Sequence, residues 1–420
     1  MKFTVIARVF LVGSLLGPLG STAAAESHRV LVLDLLSEKW NDKSKLLLVD
    51  IESGKVLAEA EFGDSPQLGL SPKGDLLAVT TRSVLGGTGQ PQNKLEIFQT
   101  SDLKRLESGL LPLGSGPTGF QRPPAVPTMA FSPDGKEIIV PRMVSSLTDE
   151  KPLRWDVHNV LLSFVSRELD TEGVFKQSRK DVGIPRCKIP TFLRLSDWPR
   201  VHLWNSSLAV VEVVDVSTGK ILSRLPLDYD DDLTLKTLDP TALEKPEIGE
   251  LSMHLGANGV VISGGDRFAY YVPQPTRNPT AEPGHIQKID LTAVPPKVVR
   301  KGDQREAGLR ASFSAASDQG GGLFVVARNG KDPTKQEASR RLKIFSTLDL
   351  KFQIEIEATI PDINGLRTSM DGKYLYLLNR DQAKIAVLDV RTGKETKVLS
   401  TVGKYPWMIL ALPEPQTRKE

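Results

Sequence analysis

Arginine returns at one position of a repeating pattern. Arg82 follows Gly74 by eight residues, Arg142 follows Gly135 by seven, Arg267 follows Gly259 by eight, and Arg380 follows Gly372 by eight. Arg328 lies six to eight residues beyond the Gly320–Gly322 run. A guanidinium is a planar fork of donors suited to bidentate binding of carboxylate or phosphate. Gathered from separate repeats onto one face, these arginines would form an anion-binding funnel. Arg194, Arg310 and Arg367, in the segments that precede the turns, would add to it. The simpler alternative stands beside this one: each arginine pairs with an Asp or Glu of a neighbouring repeat.

Other groups with chemical potential are scattered. Trp40 and Trp155 fall in long connections, and His158 and His285 fall beside them; these four are candidate ligand contacts. The run Asp228-Tyr229-Asp230-Asp231-Asp232 is dense in oxygen ligands. It lacks the spacing and glycine of a calcium loop, so it reads as a solvated acidic loop. No His-Glu-x-x-His, Gly-x-Ser-x-Gly, phosphate-loop or Cys-x-x-Cys-His motif is present, so no metal and no cofactor are expected. Cys187 is the single cysteine, which excludes an internal disulfide and reads as a small buried hydrophobe. The remaining tryptophans, Trp198, Trp204 and Trp407, read as packing.

The elements that position these residues come from the repeat. One unit is an apolar strand, Asp, an apolar residue and a glycine turn. It appears as Leu48-Val49-Asp50-Ile51-Glu52-Ser53-Gly54-Lys55, as Val214-Asp215-Val216-Ser217-Thr218-Gly219-Lys220, and as Leu388-Asp389-Val390-Arg391-Thr392-Gly393-Lys394. Weaker copies centre on Gln99, Asp290 and Ser346, and a degenerate copy, Val160–Val165, ends at Ser166. The second unit is Ser-Pro-x-Gly followed by an apolar strand. It appears at Ser71–Gly74 and Ser132–Gly135, and as Ser-Met-Asp-Gly at Ser369–Gly372.

The two units alternate, giving strands a, b, c and d per repeat. This predicts an all-β, seven-bladed β-propeller of four-stranded antiparallel blades. His28–Leu35 reads as strand b of the first blade. Tyr405–Leu412 reads as its strand a, so a C-terminal strand joins the first blade and closes the ring. A pair of β-sandwiches is the nearest alternative. Insertions are expected in b–c loops at Leu36–Ser44, Ser83–Asn93, Met143–His158, Tyr271–His285 and Asn329–Arg340, and in a d–a loop at Asp228–Glu250. All of these emerge on one face, and the recurrent arginines stand at the start of the b–c loops.

The run Ser-Pro-Asp-Gly-Lys, apolar strand, Asn or Arg, apolar strand, Asp-x-x-Thr-Gly-Lys resembles the YVTN-type β-propeller repeat, over most of residues 28–412 and best in Asn364–Leu412. The chain also resembles the heavy-chain fold of bacterial amine dehydrogenases. That resemblance implies a propeller supporting a small partner subunit that carries the quinone cofactor.

Lys2 and Arg8, the apolar stretch Val9–Leu19 and Ala23-Ala24-Ala25 read as a signal peptide cleaved after Ala25. The expected organisation is a signal peptide over 1–25, a single propeller over 26–414 and a disordered tail over 415–420. A periplasmic or extracellular location follows, without membrane insertion after cleavage. The 54 basic and 51 acidic residues nearly balance, which argues against a nucleic-acid partner. The leading expectation is a non-catalytic binding or scaffold module for a protein partner or a small anionic ligand. The amine dehydrogenase heavy subunit and a propeller lactonase or other hydrolase remain alternatives.

Overall fold

In the computed structural model the described residues are 28–36, 43–84, 91–112, 128–145, 158–184, 187, 190–205, 210–227, 260–262, 266–272, 285–302, 311–317, 321–327 and 341–413. They form seven four-stranded antiparallel sheets and no helix. Blade one orders β28 (Pro406–Ala411), β1 (Arg29–Asp34), β2 (Ser44–Asp50) and β3 (Val56–Phe62). Blade two is β4 (Asp64–Leu70), β5 (Leu76–Val84), β6 (Pro91–Gln99) and β7 (Arg105–Leu110). Blade three is β8 (Ala130–Phe131), β9 (Glu137–Ser145), β10 (His158–Leu169) and β11 (Phe175–Ile184). Blade four is β12 (Pro190–Arg194), β13 (Arg200–Asn205), β14 (Val210–Asp215) and β15 (Lys220–Pro226). Blade five is β16 (Val260–Ile262), β17 (Phe268–Tyr271), β18 (Ile286–Asp290) and β19 (Lys297–Gly302). Blade six is β20 (Ala311–Ser317), β21 (Gly322–Ala327), β22 (Arg341–Ser346) and β23 (Phe352–Glu357). Blade seven is β24 (Gly365–Thr368), β25 (Tyr374–Asn379), β26 (Lys384–Asp389) and β27 (Glu395–Leu399).

The arrangement is the seven-bladed propeller that the repeat predicts. Strands b and c are apolar without alternation because both faces of each blade are buried. In β1, Leu31 and Leu33 pack toward blade two while Val30 and Val32 pack toward blade seven. The core is accordingly seven clusters, one in each seam between adjacent blades. Strand d is the outer edge and alternates exposed with half-buried residues, as in β3 and β15. Its pairing with strand c carries a register shift in every blade. Such bulges twist an edge away from intermolecular pairing. Strand a is innermost: β16 abuts β20, β20 abuts β24 and β24 abuts β28.

The turns repeat at atomic detail. In the a–b turns the hydroxyls of Ser71, Ser132 and Ser369 accept from the amides of Leu76, Glu137 and Tyr374 at 2.9–3.0 Å. Gly74, Gly135 and Gly372 sit at φ near +70°, where a Cβ is disfavoured. In the c–d turns the carboxylates of Asp50, Asp215 and Asp389 accept from the following Ser or Thr amides and hydroxyls. Blades two and six put Leu103 (φ 56°) and Leu350 (φ 60°) where the clear copies have glycine. Both leucines are buried, and that burial offsets a left-handed backbone costing roughly 1–2 kcal/mol.

Two assignments in the repeat need correction. The degenerate copy does not turn at Ser166. Strand β10 runs on to Leu169, and the turn is Asp170-Thr171-Glu172-Gly173, with Gly173 at φ 76°. The Asp170 carboxylate accepts from the amides of Glu172 (2.9 Å) and Val174 (2.8 Å), the chemistry found in the other c–d turns. The lengthened hairpin reaches blade two, where the Leu110 amide donates to Gly173 O at 3.0 Å and Arg167 ion-pairs with Glu107. In blade five, strand b begins at Phe268 rather than near Val260, which moves Arg267 (below).

Ring closure follows the expectation. β28 pairs antiparallel with β1, Val30 opposite Ala411 and Leu33 opposite Met408. Asp34, 1% exposed, clamps the joint: its carboxylate accepts from the amides of Leu36 (3.0 Å), Lys404 (2.8 Å) and Tyr405 (2.7 Å). Hydrogen bonds to a charged acceptor are worth about 1.5–3 kcal/mol each, and their loss strands buried donors. Asp34→Ala is therefore expected to lower unfolding free energy by at least about 3 kcal/mol in urea titration. A loss under about 1 kcal/mol would show that closure does not depend on this carboxylate.

Candidate functional site

Strands a and c run one way and b and d the other, so two sets of connections leave opposite ends of the ring. Every a–b and c–d turn is four to six residues long. The b–c connections include residues 35–43, 146–157, 272–285 and 328–340, and the d–a connections include residues 111–129 and 227–259. All length variation thus falls at one end of the ring, as the repeat predicts.

The sequence-selected arginines meet different fates. Arg380 begins the b–c turn of blade seven, as expected. Its guanidinium lies 3.6 Å over the Trp407 ring and donates to Trp407 O at 3.2 Å, tying this turn to the inner strand of blade one. Tyr405 stacks on the same indole, with ring centroids 6.4 Å apart. Arg142 is buried on β9. Its Nε donates to Ser163 Oγ at 2.8 Å and its Nη2 to Asp181 at 2.5 Å, all within blade three. Burial lowers its pKa, and Asp181 holds the guanidinium charged. Arg82 lies on β5 directly opposite Asp64 in the strand register, and His158 opens β10; the description stops at their backbones. His285 is exposed beside β18. Arg310, Arg328, Trp40, Trp155, His254 and the Asp228–Asp232 run lie outside the described residues, as do the leader segment and the tail at 415–420.

Arg267 is displaced from its expected place. It precedes β17 and belongs to the a–b turn, at the opposite end of the ring from the b–c connections. There it lies 4.7 Å over the Phe268 ring and 3.7 Å from Asp290. The physical reason is that Val260–Ile262 forms strand a of this blade, so counting from Gly259 shifts the register by one strand.

Arg367 lies on the innermost strand of blade seven. It is on β24, an innermost strand whose residues are all half-buried although the next strand, β25, is almost wholly buried. It stands opposite Tyr376, on the side of the blade that packs toward blade one. Among the described residues it has no hydrogen-bond or ion-pair partner. Protein surrounds the guanidinium and desolvation pulls its pKa down, yet an arginine stays protonated. A desolvated cation on an innermost strand, without a partner among the described residues, is suited to hold a carboxylate or phosphate.

A second polar cluster lies at the a–b end of blades four and five. Arg194 forms a bidentate pair with Asp197 (2.9 Å to each oxygen) and reaches Asp266 of the next blade at 2.9 Å. The hydrogen bond with Asp197 raises the arginine pKa and lowers that of the carboxyl. His202, 1% exposed, stands beside this cluster with neither ring nitrogen hydrogen-bonded, and burial pushes its pKa down to about 4. The three-residue spacing of Arg194 and Asp197 was legible in the sequence; the burial of His202 left no local mark. Among the described residues no cluster of His, Cys, Asp and Glu could hold a metal ion. Cys187 is fully buried, and burial raises its pKa well above the ordinary value.

No family model matches the chain, and no curated protein matches it. Solved structures share its fold. The periplasmic gluconolactonase PpgL of Pseudomonas aeruginosa aligns over 93% of this chain and 100% of its own, at 14% identity and TM-score 0.56. A Bacteroides fragilis protein provisionally described as a 6-phosphogluconolactonase aligns over 94% and 100%, at 13% identity and TM-score 0.54. The dihydro-heme d1 dehydrogenase NirN aligns over 94% of this chain and 77% of its own, at 13% identity and TM-score 0.50. At these identities the likeness establishes the β-propeller fold and leaves activity to the site itself.

His202 gives a pH dependence. Its folded pKa lies below its unfolded value of about 6.5, so folding favours the neutral ring. The stabilisation is complete above about pH 6.5 and is lost as the pH falls toward 4. The loss should approach the order of 3 kcal/mol in urea titrations at stepped pH. His202→Leu should flatten that slope between pH 7 and 5; an unchanged slope would assign it to other groups.

Proposed function

We propose that the protein is an exported binding propeller that takes a small anionic ligand in its central channel, with Arg367 as the principal anion contact. The observation that carries this is the guanidinium of Arg367, surrounded by protein on an innermost strand and without a partner among the described residues. Arg380 at the rim of the same channel would guide the ligand, and the long connections on that face would complete its surroundings. Export rests on the leader-like segment through Ala25. Among the described residues no helix is long and apolar enough to cross a membrane.

A second reading is hydrolysis of an aldonolactone. Two fold neighbours named for gluconolactone chemistry favour it, because the product of that reaction is a sugar carboxylate, the kind of anion Arg367 would hold. Ring opening adds water across the ester bond and releases one proton at neutral pH, so binding and hydrolysis are separable by measurement.

The decisive comparison is Arg367→Met with Arg142→Met. Breaking the buried Arg142–Asp181 pair should cost about 3 kcal/mol, because it leaves a partly buried carboxylate unpaired. Removing Arg367, which has no partner among the described residues, should instead raise the melting temperature of the ligand-free protein. It should also abolish the heat of binding of D-gluconate and 6-phosphogluconate in calorimetric titration. A destabilised Arg367→Met that still binds both anions would mark Arg367 as structural and sink the proposal. Proton release from glucono-δ-lactone above the spontaneous rate, lost in Arg367→Met, would select the lactonase reading over simple binding.

A further inference from the structure

The seam between blades four and five differs from the other six. Its apolar cluster includes Leu193, Val211, Ala269 and Ile289, yet it also encloses polar atoms without a partner among the described residues. Thr191 Oγ1, Trp204 Nε1 and both amide atoms of Gln287 are buried without a hydrogen-bond partner. Leaving such atoms unpaired is costly, and native interiors rarely tolerate several together.

Strand register brings these groups to one place. Thr191 stands opposite Trp204 on blade four, on the face that packs against blade five. Gln287 stands opposite Tyr271 on blade five, on the face that packs against blade four. The Trp204 and Tyr271 rings meet across the seam, with centroids 5.6 Å apart and planes tilted by 49°. All four residues lie toward the end of the ring where the connection 227–259 passes from blade four to blade five. The charged cluster around His202 lies at the opposite end of the same seam.

We infer that this seam is a second binding site, distinct from the channel, for a small uncharged polyhydroxyl molecule of the sugar or polyol class. The chemistry of the donor set fixes the class. A hydroxyl, an indole N–H and a carboxamide offer donors and acceptors together and no net charge. Two aromatic rings supply the apolar wall that the C–H face of a sugar needs. An anion would find no cation among these four residues, which separates this site from the one built on Arg367.

The test is tryptophan fluorescence of the full-length protein titrated with myo-inositol and D-glucose, with D-gluconate as the charged control. The wild type should show a saturable change with at least one neutral probe. Gln287→Leu and Thr191→Val should each weaken that binding at least tenfold, while Arg367→Met should leave it unchanged. Thr191→Val changes few atoms, so it keeps the test open should Gln287→Leu fold poorly. No saturable response to either neutral probe, or equal affinity in both seam variants and the wild type, overturns the inference. Loss of gluconate binding alone bears on the channel and not on this site.

Discussion

A blade with two apolar faces cannot be the end of an array. Each sheet here buries both sides of its b and c strands against neighbours, so any terminal blade would leave a hydrophobic face in water. The chain meets this constraint by making blade one from both of its ends. β28 supplies the inner strand and β1 to β3 the rest. The pairing is held where the two termini meet, by Asp34 accepting three backbone amides. Arg380 stacked on Trp407 ties blade seven to the same inserted strand. Each seam cluster depends on the blades beside it being in place, so closure is what makes the seven separate clusters one cooperative core.

Closure also leaves the ring with two unlike ends. The a–b and c–d ends are fastened by serine and aspartate side chains that satisfy the backbone of tight turns, and these ends vary little. The opposite end carries the long connections and the open channel. A rigid ring with one variable face holds a site precisely while allowing its rim to change. Arginine shows how the scaffold assigns roles. Arg142 finds Asp181 within its own blade. Arg194 bridges two blades through Asp197 and Asp266, and Arg380 lies on an indole. Arg367, on the innermost strand of blade seven, has no such neighbour among the described residues. One residue type thus meets different surroundings according to what the ring places around it.

The seam between blades four and five is the least apolar joint. His202 lies at one end, and Thr191, Trp204 and Gln287 at the other. Buried polar groups without a partner among the described residues cost stability at this joint.

The sequence alone determined the architecture. Ser-Pro-x-Gly and Asp-x-x-Thr-Gly are local instructions: a serine hydroxyl or aspartate carboxylate caps a turn, and a glycine takes positive φ. Their alternation therefore marks strands, blades and closure without reference to distant residues. It failed where that local chemistry was disguised. Leu103 and Leu350 take the glycine conformation only because burial compensates them. The turn at Asp170–Gly173 follows an unusually long strand, and Gly259 mimicked a turn glycine and displaced Arg267. The sequence also located the variable face, since insertion lengths are read along the chain. Only the tertiary structure decided which arginine has no partner among the described residues and which histidine is buried. Those properties depend on residues brought together across blades, as Arg194 meets Asp266 and Trp204 meets Tyr271. No local pattern records such a meeting, because desolvation and charge pairing are set by spatial neighbours.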